Sequence, residues 1–542
     1  MSALRHLRCK SRILGLLSGL AVLLTGCLLT PVGATDAGRT KAGVRAAGAD
    51  GGPDGGDAGP DVDDPDAGLI HSGVVDAGVM TLAVTANPNS VLSAIATVGW
   101  SDAPVAVTLA VTTNATTRTT PPVPVTTPAS SMTIPVLPLK ADTAYTIVAS
   151  GVLAGGATVR SAPIVFATGT LPSTVPFFNV ADGGTPSPGY NLVARLLPNG
   201  DLVTDYLTVA DSTGAPIWYT GISPELGVDF QQQPDGTFTA AVNDPALSIP
   251  GLDETLVIYR QMDVLGNTLR TWTAQDVSST MPPVIVAGTN GHDIRLQPNG
   301  DALLFGLTRT TMDLSSYGGY SAATVVSDVL ERVTPSGELA FAWNARDALD
   351  IGNVDPEATN LKAAVVDFTH GNAIDVMTDG NYLLSLRGLS QVIKIDATTG
   401  AILWKLGGLD GDFEFVGDPL GGFSCQHGAR QLPNGDILLF DDGDSHTPAQ
   451  SRAVEYALDT TAMTATLIWS AEDDPPLYSY ILGYAQRLTN GNTLVTYGTT
   501  FRVQEVAPDG SVLWSLHDPN QGFGTYRAYR IPSLSPYDLM SN

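Results

Sequence analysis

The stretch Phe423–Asp444, FSCQHGARQLPNGDILLFDDGD, decides how the rest of the chain is read. It carries a histidine, His427, and seven residues later the pair Asn434-Gly435. The apolar run Ile437-Leu438-Leu439-Phe440 and an acidic, glycine-containing exit follow. Asn-Gly between apolar runs predicts a hairpin, because both residues tolerate positive φ. His427 is therefore expected on a strand just before a tight turn.

The turn element recurs at Pro198, Pro234, Pro298, Thr378, Pro433 and Thr489, each followed by Asn-Gly or Asp-Gly. A tryptophan follows each: Trp218, Trp272, Trp343, Trp404, Trp469 and Trp514. Six turn-plus-Trp units over residues 171–542, about 60 residues per unit, predict a six-bladed β-propeller of four-stranded blades. The tryptophans are expected to pack between neighbouring blades.

In a propeller, equivalent positions on the innermost strands lie at similar depth around one channel. His292 lies seven residues before Asn299 and His427 seven before Asn434, while His370 lies nine before Asp379 and needs a small insertion. Three of the chain's 7 histidines thus converge on one mouth of the channel, which points to a functional centre. Three imidazoles can hold zinc. However, Asp293 alone accompanies them in register, and its side chain is expected on the other face, so no metal is assigned. The alternative is nucleophilic and acid–base catalysis. An anionic substrate then needs a fixed cation. Arg387, on the strand after His370, is the candidate, and a surface ion pair is its plainer reading.

The remaining chain frames this centre. A length of 542 residues exceeds one core. Charged residues make up only 15%, with 57 Gly and 37 Pro, which favours a turn-rich all-β protein. A net charge of −27 argues against nucleic acid as a partner. Residues 1–26 read as a secretory signal: Arg5, Arg8, Lys10 and Arg12 precede the apolar run Ile13–Leu24. Leu24-Thr25-Gly26-Cys27 resembles a bacterial lipobox, which implies lipidation of Cys27 and anchoring in a membrane. With Cys9 in the signal and Cys27 lipidated, Cys425 is left without a disulfide partner and is expected to be buried and structural. Residues 27–78 repeat Asp-Ala-Gly and are expected to form a disordered tether, without the spacing of a Ca²⁺ loop. Residues 79–170 alternate apolar and polar positions. Their run Leu139–Val148 resembles the tyrosine corner of fibronectin type III sandwiches, so a small β-sandwich of that kind is expected before the propeller.

The runs beginning at Thr369 (THGNAIDVMTDGNYLLSLRGLSQVIKID), Ile402 (ILWKLGG), Gln426 (QHGARQLPNGDILLFDDGD), Ser451 (SRAVEY) and Ala485 (AQRLTNGNTLVTYG) resemble the bacterial arylsulfotransferases that do not use the nucleotide sulfate donor. The resemblance implies a six-bladed propeller with an added β-sandwich, an aryl sulfate donor, a phenolic acceptor and no cofactor. It implies that His427 is the nucleophile, transiently sulfated. It makes His370 the His and Asn372 the Asn of an H-x-N motif, the latter touching substrate. Arg387 is carried over as the sulfate-binding arginine, and His292 less directly as a further catalytic and binding residue. Asp441-Asp442-Gly443 stands where the family often has Asp-Asn-Gly, a departure expected to leave the nucleophile untouched. The reading places the protein in a bacterial cell envelope, on the outer-membrane or periplasmic side, or outside the cell.

Two other classes fit parts of the pattern. The run Asp396–Trp404 resembles the docking-Trp repeat of quinone-cofactor propellers, which have more blades and a Ca²⁺ site. A cell-surface binding propeller without catalysis would not need three histidines in register.

Overall fold

The computed structural model of the protein describes residues 75–76, 80–114, 116–126, 129–196, 203–244, 256–277, 285–519, 524–534 and 536–541. The signal, Cys27 and all but the end of the expected tether lie outside these residues, as does the turn at Pro198. Among the described residues strand pairing begins at Val75, four residues before the expected boundary at 79: Val75–Asp76 pairs antiparallel with Met80–Ala86.

Val/Thr/Ala alternation in the first hundred described residues gives strands with one buried face. Ala106–Thr112 alternates half-buried and buried residues along its length, and Ala144–Val152 alternates nearly as strictly. One sheet holds Met80–Ala86, Ala94–Trp100 and Ser131–Val136; a second is built on Ala106–Thr112, Ala144–Val152 and Ile164–Ala167. Leu82, Val98 and Ile134 of the first share a core with Leu109, Tyr145 and Phe166 of the second. The Tyr145 hydroxyl accepts the Lys140 N–H at 2.7 Å, fixing the sheet corner. The chain's end returns here: Met540–Ser541 pairs with Thr117–Thr119.

Beyond residue 178 the described strands form six antiparallel meanders, to which Val365–Asp367 and Glu414–Val416 add short parallel strands. The third is Val286–Leu296, Ala302–Met312, Ala323–Val333 and Leu339–Asn344. The fourth is Gly371–Val376, Tyr382–Leu386, Gln391–Ile395 and Ile402–Gly407, and the fifth His427–Gln431, Ile437–Asp441, Arg452–Asp459 and Thr464–Ala471. The sixth begins at Gly483–Arg487 and ends at Val512–His517. Pro216–Gln232 is shared: its first part closes the first meander, and its second part opens the second. The innermost strand of the first meander is the late segment Gly524–Ile531, paired with Tyr190–Leu196. The innermost strands touch in cyclic order, from Pro216–Gln232 through Val286–Leu296, Gly371–Val376, His427–Gln431 and Gly483–Arg487 to Gly524–Ile531 and back.

This closure corrects the repeat register. Pro198 follows the second strand of its meander, not the first, because the first strand is supplied from the other end of the chain. The turn chemistry also differs from expectation. At Pro433-Asn434-Gly435 only the glycine has positive φ, at 98°. Leu432 and Gly435 bond as a type I turn, and the Asn434 Oδ1 accepts the Asp436 N–H at 3.1 Å. Pro suits the second position of such a turn and Gly its left-handed exit.

Second strands such as Tyr382–Leu386, Ile437–Asp441 and Thr493–Tyr497 are buried throughout, since a neighbouring meander covers each face. The six repeat tryptophans all lie on outer strands and pack on the next meander: Trp343 with Ile393 and Ile395, Trp404 with Ile437 and Leu439. Trp469 is half-buried, under the Arg487 guanidinium at 5.0 Å.

Candidate active site

His427 opens the inner strand of the fifth meander and is 1% exposed. The residues before it are pinned: Gln426 Nε2 donates to Ser385 Oγ and to the Gln391 carbonyl, both at 3.0 Å. Gly428 follows at φ +66°, and a Cβ there would meet Tyr484 Cδ2 at 2.4 Å, so glycine is required. The His427 Nδ1 lies 2.9 Å from Asp442 Oδ2. The departure from Asp-Asn-Gly therefore touches the expected nucleophile directly, contrary to the reading of the sequence. The strand of His427 pairs with Ile437–Asp441, and Asp442 is the next residue, so the hairpin itself brings the two together.

His370 precedes the inner strand of the fourth meander, at φ +47°. The buried Asp328 holds this conformation by accepting from Thr369 Oγ1 and the Gly371 N–H, both at 2.6 Å. The His370 Nδ1 lies 2.5 Å from Asp367 Oδ2. His292, half-buried on Val286–Leu296, has its Nδ1 2.5 Å from Asn290 Oδ1. The rings of His292 and His370 lie 4.8 Å apart, and Tyr526 packs against His292 at 5.7 Å and His427 at 6.5 Å. The three histidines are thus brought together from three successive inner strands.

Arg387 is placed beside them, on the tight turn Arg387–Leu389 after Tyr382–Leu386 rather than on the strand itself. Its N–H donates to the His370 carbonyl at 3.1 Å. Its Nη2 donates to Asp444 Oδ2 at 3.1 Å and to the Tyr480 carbonyl at 3.2 Å; its Nε, without a hydrogen bond, is 3.9 Å from Asp442 Oδ2. Burial opposes the Arg387 charge, but Cys425, Asp442, Asp444 and Asp367 outweigh it, and the guanidinium stays charged. Asn372, expected to touch substrate, is fully buried. It ties the two histidine strands together, Nδ2 donating to the Gln426 carbonyl at 2.7 Å. Cys425 is free and buried, and burial pushes its thiol up, so the neighbouring His427 does not activate it.

Asp293 turns away from His292 as expected, but into the centre of the ring. It accepts from Arg430 at 2.7 Å and from the Ile374 N–H at 2.8 Å, and lies 3.5 Å from Arg527. Tyr526 and Arg527 were not singled out in the sequence. Both lie on Gly524–Ile531, a fully buried strand after the last tryptophan, whose run Tyr526-Arg527-Ala528-Tyr529-Arg530 has no period-two alternation to mark it.

Burial holds the His427 imidazole well below its usual value, reinforced by Arg387, His292, His370 and Arg527. Burial, His370, Arg527 and Arg387 do the same to His292. Both rings are thus uncharged near neutrality, beside the fixed cations Arg387 and Arg527. Among the described residues no group of three or more His, Cys, Asp and Glu is arranged to hold a metal. The arrangement supplies a neutral buried nucleophile, imidazoles for proton transfer and a guanidinium for an anion.

Residues 261–518, just under half of the chain, match a family model described as Arylsulfotransferase (ASST). No curated protein sequence matches the chain. Among solved structures, a protein of unknown function from Bacteroides caccae is similar at 15% identity and a TM-score of 0.40, over 63% of this chain and 98% of that one. A catalytically inactive virginiamycin B lyase from Staphylococcus aureus, with quinupristin, is similar at 8% identity and a TM-score of 0.32, over 62% and 87%. Both similarities are low, and the fold described above rests on the chain's own strand order.

Proposed function

We propose that the protein moves a sulfuryl group from an aryl sulfate ester to a phenolic acceptor, in a ping-pong cycle through a sulfohistidine at His427. The observation that carries this is the meeting of His427, His370, His292 and Arg387 at one place on the ring of inner strands. The Arylsulfotransferase (ASST) match over residues 261–518 supports it and suggests aryl sulfates as substrates.

Sulfuryl transfer needs in-line positioning and neutralisation of the equatorial oxygens. Arg387, with His292 beside it, binds those oxygens. His427 attacks sulfur, and the phenolate departs with a proton from His370, whose Nδ1 is paired with the Asp367 carboxylate. A second phenol enters, returns its proton to His370 as its oxygen attacks, and carries the sulfuryl group away. The scheme calls for no cofactor.

The six meanders are read as the blades of a six-bladed β-propeller over residues 171–542. The preceding sheets over residues 79–170 are read as a fibronectin III-like sandwich, which the Tyr145 corner supports. Residues 27–78 remain the proposed tether, with Cys27 as the lipid-bearing residue in the cell envelope. The test is release of 4-nitrophenol from 4-nitrophenyl sulfate with and without added phenol, followed by the mass of protein quenched with donor alone. Phenol-dependent release and one sulfate on the peptide containing His427 are expected. Release that ignores phenol would make the protein a sulfatase, and no release with any acceptor would remove the proposal.

A further inference from the structure

We propose that Asp442 is a positioning residue: it accepts the Nδ1 proton of His427, so that the lone pair on Nε2 is the one that attacks sulfur. This role rests on the sulfuryl-transfer reading above.

A neutral imidazole carries one proton on two nitrogens, and the partner of one nitrogen decides what the other can do. Asp442 is fully buried, and Oδ2 stands 2.9 Å from Nδ1. Its other oxygen has no hydrogen bond among the described residues, and the nearest cation is Arg387 Nε at 3.9 Å. A carboxylate here accepts from Nδ1–H and leaves the Nε2 lone pair available. A protonated carboxyl would donate to Nδ1 instead and put the ring proton on Nε2, where it blocks attack. Burial, Asp444 and Asp441 push this carboxyl up and favour the second arrangement, while the Arg387 guanidinium opposes them and favours the first, which is the one the proposal assigns.

The bookkeeping of the step then closes. The Nε2 pair forms the N–S bond, the S–O(aryl) bond breaks, and its electrons leave on the phenolate oxygen. The ring, still protonated at Nδ1, is now a cation facing the Asp442 carboxylate. In the second half the N–S electrons return to Nε2, and a neutral imidazole leaves rather than an imidazolate. Asparagine, frequent at this place in the resembled family, offers the same acceptor without the charge, so what this chain adds is stabilisation of the sulfated, cationic ring.

The experiment is a long-range ¹H–¹⁵N correlation spectrum of the purified protein labelled at histidine, the His427 signals assigned with His427→Gln. The expected wild-type result is a protonated Nδ1 and a bare Nε2. Asp442→Ala should lose this bias and lower kcat on the order of 10²-fold, with KM within about 3-fold. Asp442→Asn should keep the tautomer and move the acid limb of kcat/KM to lower pH, because a carboxylate beside the ring favours its protonation. The other groups facing the pair are Arg387, His292, His370 and Arg527 on the imidazole side, and Asp444, Arg387 and Asp441 on the carboxyl side, all unchanged in these variants. A wild-type spectrum with Nε2 protonated overturns the assignment whether or not the variants fold. An unchanged tautomer and pH profile in Asp442→Ala overturns it too. Turnover with the wrong tautomer defeats this inference alone, whereas the expected tautomer without any sulfuryl transfer defeats the functional reading alone.

Discussion

The imidazoles of His292 and His370 meet nearly edge to face, ring centroids 4.8 Å apart and planes at 62°, yet their Nδ1 atoms rest on chemically different oxygens. His292 is paired with the amide of Asn290 and His370 with the carboxylate of Asp367. An amide does little to stabilise a protonated ring, while a carboxylate favours it. The pair thus divides into a neutral donor or acceptor and a proton carrier. His370→Gln should slow sulfation of the protein by phenyl sulfate, followed in a single turnover without acceptor, by on the order of 10²-fold, but sulfation by 4-nitrophenyl sulfate by less than about 10-fold. The second leaving group departs without help. Equal losses with both donors would remove His370 from the proton path.

Arg387 is held by the Asp444 carboxylate and by the Tyr480 carbonyl, with Nε left unbonded. A planar fork so anchored presents fixed donors to an anion, which a lysine cannot copy. Arg387→Lys is expected to lower kcat/KM by about 10²-fold, and Arg387→Ala by about 10³-fold. Steady-state kinetics with a single donor checks both. Full activity of Arg387→Ala would return this residue to the plain surface ion pair.

Cys425 lies two residues from His427 but takes no part in the scheme. It is fully buried, and burial, Asp444, Asp355 and Asp442 raise its thiol against the pull of Arg387. The native protein should resist thiol alkylation and keep its turnover, while the unfolded chain reacts at once. Rapid labelling at Cys425 with loss of activity would show the site opening far more than its packing implies.

The recurrence of Gly turns and tryptophans carried the meanders, because an outer-strand tryptophan packing on its neighbour is a local, repeated requirement. His427 and His292 were legible from their spacing to Asn434 and Asn299 for the same reason. What the sequence hid depends on contacts across the chain. Gly524–Ile531 joins Tyr190–Leu196 from more than three hundred residues away, so the shifted position of the Pro198 turn and the roles of Tyr526 and Arg527 had no local signature. The contact between Asp442 and His427 has no signal in strand alternation either. Strand alternation says which face a residue occupies, but not that the residue just past a strand end will meet the first residue of the paired strand. At Asn372, the motif position expected to touch substrate, Nδ2 ties to the Gln426 carbonyl while Oδ1 has no hydrogen bond among the described residues, so the expected contact stays a proposal.

Buried carboxyls, Asp293 and Asp229 at the centre of the ring and Glu331 on Ala323–Val333, make stability depend on pH in two opposed ways. Asp293 is held down to about 2, because Arg430, Arg527 and Arg295 together with the Ile374 N–H outweigh the burial that raises it. Asp229 shares Arg527, yet burial and Asp293 push it up to about 7, and burial raises Glu331 to about 8. In the unfolded chain all three titrate near pH 4. Asp293 therefore contributes stability that is complete above about pH 4 and is lost as pH falls towards 2, worth on the order of 2 kcal/mol. Asp229 and Glu331 contribute stability that is complete below about pH 4 and is lost as pH rises through 7 and 8, since the folded state must then ionise buried carboxyls. Melting temperature should accordingly be higher at about pH 5 than at about pH 8, and Asp229→Asn should flatten the decline without moving the acid limb. Asp293→Ala should cost about 3–5 kcal/mol at every pH above 4, because it leaves Arg430 and Arg527 buried without their shared partner. A melting temperature that climbs steadily from about pH 5 to pH 8 would mean that Asp229 is ionised throughout, with Arg527 serving both carboxylates at once.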